Sequence, residues 1–218
     1  MKKTLLITFV LGLLTSVASA EMKAGITASG YMLDANGKET NNNQKSESRG
    51  EDIAGGTVSL FAEYSFGMAS IGVDIVPYDI DMGTVDNKRD ATGNNPHGTK
   101  GTDGQDGTNS ATVDLTNNVT VYALVPIEDT AFYLKAGVGY SDVKISESLT
   151  TNSNYPDTEI YSAHVSLGYE MDLGEAFVRA EAGYSAWEDT TVKSSSGRNQ
   201  VEVELDGAHA RISVGTKF

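Results

Sequence analysis

The chain has three histidines, His97, His164 and His209, and no cysteine. Without thiols, a disulfide scaffold or a Cys-ligated zinc site is excluded. His164-Val165-Ser166 sets an imidazole and a hydroxyl two residues apart, residue types that serve as general base and nucleophile. A working pair also needs an acid to orient the imidazole, and none is close in the sequence. The carboxylates of Asp103 and Asp106, or of Glu202, Glu204 and Asp206, are of the type that holds Ca²⁺. They lack the ordered spacing and closing Glu of an EF-hand loop and read as solvated acidic surface. Asn118-Val119-Thr120 fits a glycosylation pattern but falls inside a strand. No catalytic residue, cofactor or metal is therefore assigned, and the chain is not expected to be an enzyme. What remains is a set of ten charges whose spacing has period two.

Five acids (Glu63, Asp74, Asp114, Glu170, Glu181) and five bases (Lys23, Lys135, Arg179, Arg211, Lys217) lie on one face of alternating segments. The last segment is typical: Ala208, Ala210, Ile212, Val214, Thr216 and Phe218 alternate with His209, Arg211, Ser213, Gly215 and Lys217. Seven earlier segments, beginning near Met22, Val58, Ala69, Val113, Phe132, Ser162 and Phe177, repeat that division, and no sustained 3.6-residue period appears. Eight strands of about ten residues suit a tilted bilayer crossing. Tight turns at 66–68, 126–130 and 172–175 alternate with long polar connections at 34–52, 79–110, 142–159 and 188–206. Residues 79–110 carry no strand signal and read as a low-complexity insert; Pro77 closes the third strand.

Lys2 and Lys3, an apolar run from Leu5 to Leu14, and Ala18-Ser19-Ala20 before Glu21 form a secretory signal peptide over 1–20, cleaved after Ala20. The run is too short to anchor in a bilayer. The formal charge is −14, and removing Lys2 and Lys3 makes it −16, which excludes nucleic acid as a partner. The long loops hold 20 acids and 9 bases, whereas the polar strand face is neutral and the apolar face uncharged. A narrow interior requires every charge to have a partner, and lipid at mid-depth penalises Arg or Lys by about 2 to 4 kcal/mol. The apolar face must therefore meet lipid and the charged face the axis. Tyr64, Phe132, Tyr169 and Phe218 at the turn ends, with Tyr140 and Tyr184 toward the loop ends, form two aromatic belts; Trp187 reads as another interface anchor. Unpaired edge amides in hydrocarbon cost several kcal/mol each, so the first strand must close onto the last.

These features, with the strand Tyr133-Leu134-Lys135-Ala136-Gly137-Val138-Gly139-Tyr140 and the terminal strand Ala208 to Phe218, resemble the small eight-stranded outer-membrane barrels of Gram-negative bacteria, the OmpA/OmpX-like family. The resemblance implies an all-β, eight-stranded antiparallel up-and-down transmembrane barrel over 21–218, monomeric, in the cell outer membrane. It implies outer-membrane lipid and lipopolysaccharide as surroundings. It further implies recognition by the barrel-insertion machinery through Ile212, Val214 and Phe218 of the last strand. No peptidoglycan-binding domain is expected after Phe218.

An eight-stranded lumen is only wide enough for side chains. Glu63, Lys135 and Arg179 are expected at one depth near the turn end and Asp74, Glu181 and Arg211 nearer the middle, paired with one another. Glu170 and Lys217 complete the interior network. The expected role is structural or surface-interacting, with acidic loops outside. A narrow passive pore is the alternative. A lipid A-modifying enzyme ranks third: His164-Val165-Ser166 resembles the His-x-Ser pair of the lipid A deacylases, but parity turns both residues inward, away from an acyl chain.

Overall fold

Alternation of small polar and branched apolar residues favours extended backbone, because each face of a strand then meets one environment. The computed structural model describes residues 21–41, 46–66, 68–89, 107–148, 155–195 and 199–218. Residues 1–20, the expected signal peptide with its cleavage after Ala20, and His97, Asp103 and Asp106 lie outside the described residues. Among the described residues there are ten strands: β1 (Glu21–Asn41), β2 (Ser46–Phe66), β3 (Ala69–Ile75), β4 (Ile80–Arg89), β5 (Gly107–Pro126), β6 (Phe132–Ser148), β7 (Thr158–Leu173), β8 (Ala176–Trp187), β9 (Thr190–Lys193) and β10 (Asn199–Lys217). Eight of them follow one another as β1-β2-β3-β5-β6-β7-β8-β10, and β10 pairs back onto β1. Every ladder is antiparallel, and the ring is closed from Lys23↔Lys217 upward.

The outer surface is the apolar one. Val138, Ile212 and Ile26 are 66%, 61% and 55% exposed, and Leu60, Leu134, Val165, Leu167 and Val214 join them. In water such a belt would forfeit about 25 cal/mol for each Å² left uncovered, so it is built for hydrocarbon. Thr27, Ser59, Glu63, Lys135, Arg179, Glu181 and Ser213 point inward and are buried. The fold is thus an eight-stranded transmembrane barrel with its polar side chains on the axis. Aromatic rings meet at both rims, Phe132 against Tyr169 at 5.3 Å between centroids and Tyr140 against Tyr161 at 5.5 Å.

The wall is uneven in height, and here the loop expectations need correction. Segments 34–52, 79–110, 142–159 and 188–206 are largely paired strand wherever they are described. β1 and β2 pair as far as Thr40↔Ser46, and β1 and β10 as far as Asn41↔Asn199. β4 and β9, additional to the ring, pair with β5 and β10. Above the bilayer both faces of a strand meet water, so pairing there does not require apolar alternation, and the sequence signal fades although the ladder continues. The β2–β3 ladder, in contrast, ends at Leu60↔Ile75. Beyond it Pro77 interrupts the chain, the Val76 N–H turns to the Asn118 carbonyl at 3.1 Å, and the free Val58 N–H donates to the Tyr78 hydroxyl at 2.6 Å. A bulge between Thr116 and Val119, with Asn117 at φ 53°, bends β5 at this level.

Candidate functional site

The interior side chains are stacked in tiers along the axis. In the tier nearest the short turns, Arg179 on β8 donates from both terminal nitrogens to Glu63 on β2, at 2.8 and 3.0 Å. Its Nε donates to Glu170 on β7 at 2.7 Å, and Lys23 on β1 reaches the same carboxylate at 2.9 Å. Tyr122 donates to Glu63 at 3.2 Å. The guanidinium lies over the Phe177 ring at 4.7 Å from its centroid, with Tyr133 and Phe61 also beside it. A two-pronged guanidinium between two carboxylates, walled by aromatic faces, is a geometry in which a buried charge is fully satisfied.

Four aromatics, Phe61, Tyr122, Tyr133 and Phe177, therefore occupy the lumen. Each stands directly across the ladder from a glycine: Gly25, Gly72, Gly168 and Gly215. At Gly72 and Gly168 a side chain would overlap the tyrosine ring, so glycine is what lets the ring lie flat on the neighbouring strand. The signal for this was present in the sequence as parity, since these rings share a face with Glu63, Lys135 and Arg179, but residue type alone assigns such rings to lipid.

In the next tier Lys135 pairs with Glu181 at 3.1 Å, Tyr133 donates to the same oxygen at 2.7 Å, and Arg211 pairs with Asp74. Lys135 thus belongs with Asp74, Glu181 and Arg211, not beside Glu63 and Arg179 as position along the strand implied. Strands in a closed barrel are tilted and staggered, which displaces residues of equal strand position to different depths. Lys217 stands apart at the short-turn rim, paired with Asp172 near the end of β7. Lys217 holds the Asp172 carboxyl below the usual carboxylate range. Asp114 lies in the ladder opposite Lys144 and Asp81, above the lumen.

Above the charges the lumen becomes histidine and serine. His164 does not bond Ser166. Its Nε2 meets Ser162 Oγ at 2.8 Å and its Nδ1 meets Ser185 Oγ at 2.7 Å. Ser185 also contacts His209 Nδ1 at 2.8 Å, and His209 Nε2 meets Ser166 at 2.9 Å. The result is one continuous chain, Ser162–His164–Ser185–His209–Ser166. Ser185 has a single proton for two Nδ1 atoms, so it donates to one ring and accepts from the other. While both rings are neutral they must be opposite tautomers, one protonated on Nδ1 and the other on Nε2. Neither imidazole hydrogen-bonds a carboxylate among the described residues, so the orienting acid of a catalytic triad is not supplied to either.

Over this chain is a cavity of about 360 Å³ that reaches from Arg211 and Asp74 at its floor past His164, His209 and Trp187 to Ile53 and Met82 at the low part of the wall. Trp187 is therefore a lumen residue, edge-on to His164 at 5.8 Å, and not the lipid-interface anchor expected from its type. At the outer rim Asp34 faces Asp52 on one side and Asp206 on the other. The hydrogen bond it shares with Asp52 pushes its carboxyl above the usual range. No group of three or more His, Asp or Glu among the described residues is placed to hold a metal ion, although Glu202, Glu204 and Asp206 are near neighbours on β10.

No family model matches the chain, and no curated protein matches it. Among solved structures it is similar to the outer membrane protein OprG from Pseudomonas aeruginosa, at 11% identity and a TM-score of 0.47 over 92% of this chain and 96% of that one. Neisserial surface protein A is similar at 12% identity and a TM-score of 0.41, covering 92% of this chain and 100% of that one. The outer membrane protease OmpT from Escherichia coli is similar at 10% identity and a TM-score of 0.45, covering 94% and 100%. The chain's own architecture, in which eight antiparallel strands close through Lys23↔Lys217 around a charged axis, is that of a small transmembrane β-barrel.

Proposed function

We propose that the chain is an integral protein of the Gram-negative outer membrane whose role is structural and surface-directed: a plugged barrel that carries tall, acidic strand hairpins above the bilayer. The observation that supports this most is the tier around Arg179, which fills the axis with satisfied charges and leaves no partner wanting. β1 is 21 residues long, roughly twice the 9 to 11 needed to cross. At about 3.3 Å per residue, the surplus lifts the acidic ends well clear of the headgroups, where they suit contact with partners or divalent-bridged lipopolysaccharide. Export through a cleaved leader at Ala20 and assembly through the exposed Ile212 and Val214 of β10 and the adjoining Phe218 belong to the same reading.

Planar-bilayer recording tests it. The purified barrel should be silent at neutral pH. Sustained, salt-dependent channels would favour the second reading, a narrow passive pore, which the outer cavity supports because only the two charged tiers separate it from the periplasmic mouth. Against an enzymatic role stands the inward aim of His164 and Ser166 and their bonding to other partners. His164→Ala should leave the lipid A of intact cells unaltered in its acyl chains.

A further inference from the structure

Three buried polar atoms of the outer lumen lack a hydrogen-bond partner among the described residues: Ser29 Oγ, Ser59 Oγ and Arg211 Nε, the last of which has the Glu181 carboxylate 3.8 Å away, beyond hydrogen-bond reach. They cluster. Ser29 stands directly opposite Arg211 in the β1–β10 ladder, and Ser59, opposite Thr27 on the other side of β1, is one step lower. Ser59 is 2% exposed and the Arg211 side chain 11%. Both line the 360 Å³ cavity. An orphaned donor in a buried wall is costly unless something in the adjoining space completes it. Elsewhere in the lumen the matching groups are satisfied: Thr27 shares a bond with Ser213 at 2.8 Å, and all four imidazole nitrogens have serine partners.

The chemistry of the occupant follows by elimination. A hydrocarbon would leave Ser59 and Arg211 Nε unpaired. A cation would find the floor carboxylate of Asp74 already taken by Arg211. An anion would have to pass the Asp34, Asp52 and Asp206 rim and loops rich in acid, then find Arg211 already neutralised by Asp74. A neutral hydroxyl group avoids all three penalties, because it accepts from Arg211 Nε or Ser59 and donates to Asp74 with the same oxygen. The faces of Trp187 and Tyr31, which also line the cavity, offer apolar surface to the C–H side of such a molecule. The volume falls at the small end of ligand pockets, which run from about 300 to 1,000 Å³, and admits one ring-sized solute. We infer that the outer lumen is a binding site for a small, neutral, polyhydroxylated solute of monosaccharide size, held at its floor by Arg211, Asp74 and Ser59.

The chain has one tryptophan, Trp187, and it lines this cavity, so its fluorescence reports on the site alone. The full mature barrel in detergent micelles is titrated with D-glucose and with myo-inositol, and binding is read by Trp187 emission and by saturation-transfer NMR against empty micelles. Saturable binding in the millimolar range is expected from at least one of the two. D-glucosamine and D-gluconate, their charged counterparts, should bind at least tenfold more weakly. Ser59→Ala, which removes a hydroxyl with no partner to lose, should leave the barrel folded and weaken binding about fivefold, the equivalent of one hydrogen bond. Ser65→Ala, at the opposite end of β2, should bind as the parent does. The inference is overturned by the absence of saturable binding of either polyol in both readouts, by charged analogues that bind as well, or by unchanged affinity in Ser59→Ala.

Discussion

The two halves of the lumen solve the same problem differently. Toward the short turns, every charge around Arg179 is paired and wedged between aromatic rings, and the space is filled. Toward the long strands, the axis holds histidines joined by serines, a cavity, and polar atoms without hydrogen-bond partners among the described residues. A barrel of this width does not need a cavity, since side chains alone can fill it. The lower half bears that out, and the upper half departs from it. The contrast locates rigidity below and capacity for binding above.

The largest effect should come from breaking the lower half. Arg179→Leu leaves Glu63 and Glu170 buried with too few donors, and removal of one partner from such a network costs about 3 to 5 kcal/mol. Urea unfolding of the reconstituted barrel, followed by tryptophan emission, measures it; a cost no greater than that of a serine truncation in the upper half would erase the contrast. Ser185→Ala should come next. It cuts the histidine chain at its centre and strands both Nδ1 atoms, worth about 1 to 3 kcal/mol by the same assay.

Proton counting sharpens the comparison without any mutation. In ¹⁵N spectra at neutral pH, His164 and His209 should appear as opposite tautomers, and both should convert to one tautomer type only if Ser185 is removed. Two identical tautomers in the parent protein would contradict the continuous chain. The smallest effect should be that of Lys217→Ala at the solvated rim, where the partner Asp172 has its carboxyl lowered by that lysine. The sign is fixed: a depressed carboxyl contributes stability that is complete above the ordinary Asp value of about 3.9 and is lost as pH falls through the lower folded value. The variant and parent should therefore differ slightly at pH 7 and converge in strong acid; a difference that grows on acidification would reverse the assignment.

Much of this was legible in the residues. Alternation across eight segments gave strand number and face, and the neutrality of the polar face against the acidity of the loops told inside from outside. Pro77 marked the end of β3. The extensions of β1, β2 and β10 were not legible, because a strand wet on both faces has no periodicity to show. The partner of Lys135 was hidden by barrel stagger. The histidine chain was hidden more deeply: His164 and His209 are on different strands, and the serine that joins them, Ser185, is on a third. Nothing local to His164-Val165-Ser166 reveals that its two polar residues bond past each other. Trp187 misled in the same way, since its aromatic type argues for lipid while parity places the ring inside.

The measurement that bears most directly on the account is orientation of the wall in a bilayer, and the lack of native cysteine makes it simple. Val138→Cys on the outer face and Ser59→Cys on the cavity wall are each labelled with a small fluorophore and reconstituted into vesicles containing brominated lipid. The label at 138 should be quenched by bromine and resist a water-soluble quencher, and the label at 59 should show the reverse. Quenching of the label at 59 by bromolipid, with 138 open to the aqueous quencher, would mean that the apolar face lines the axis.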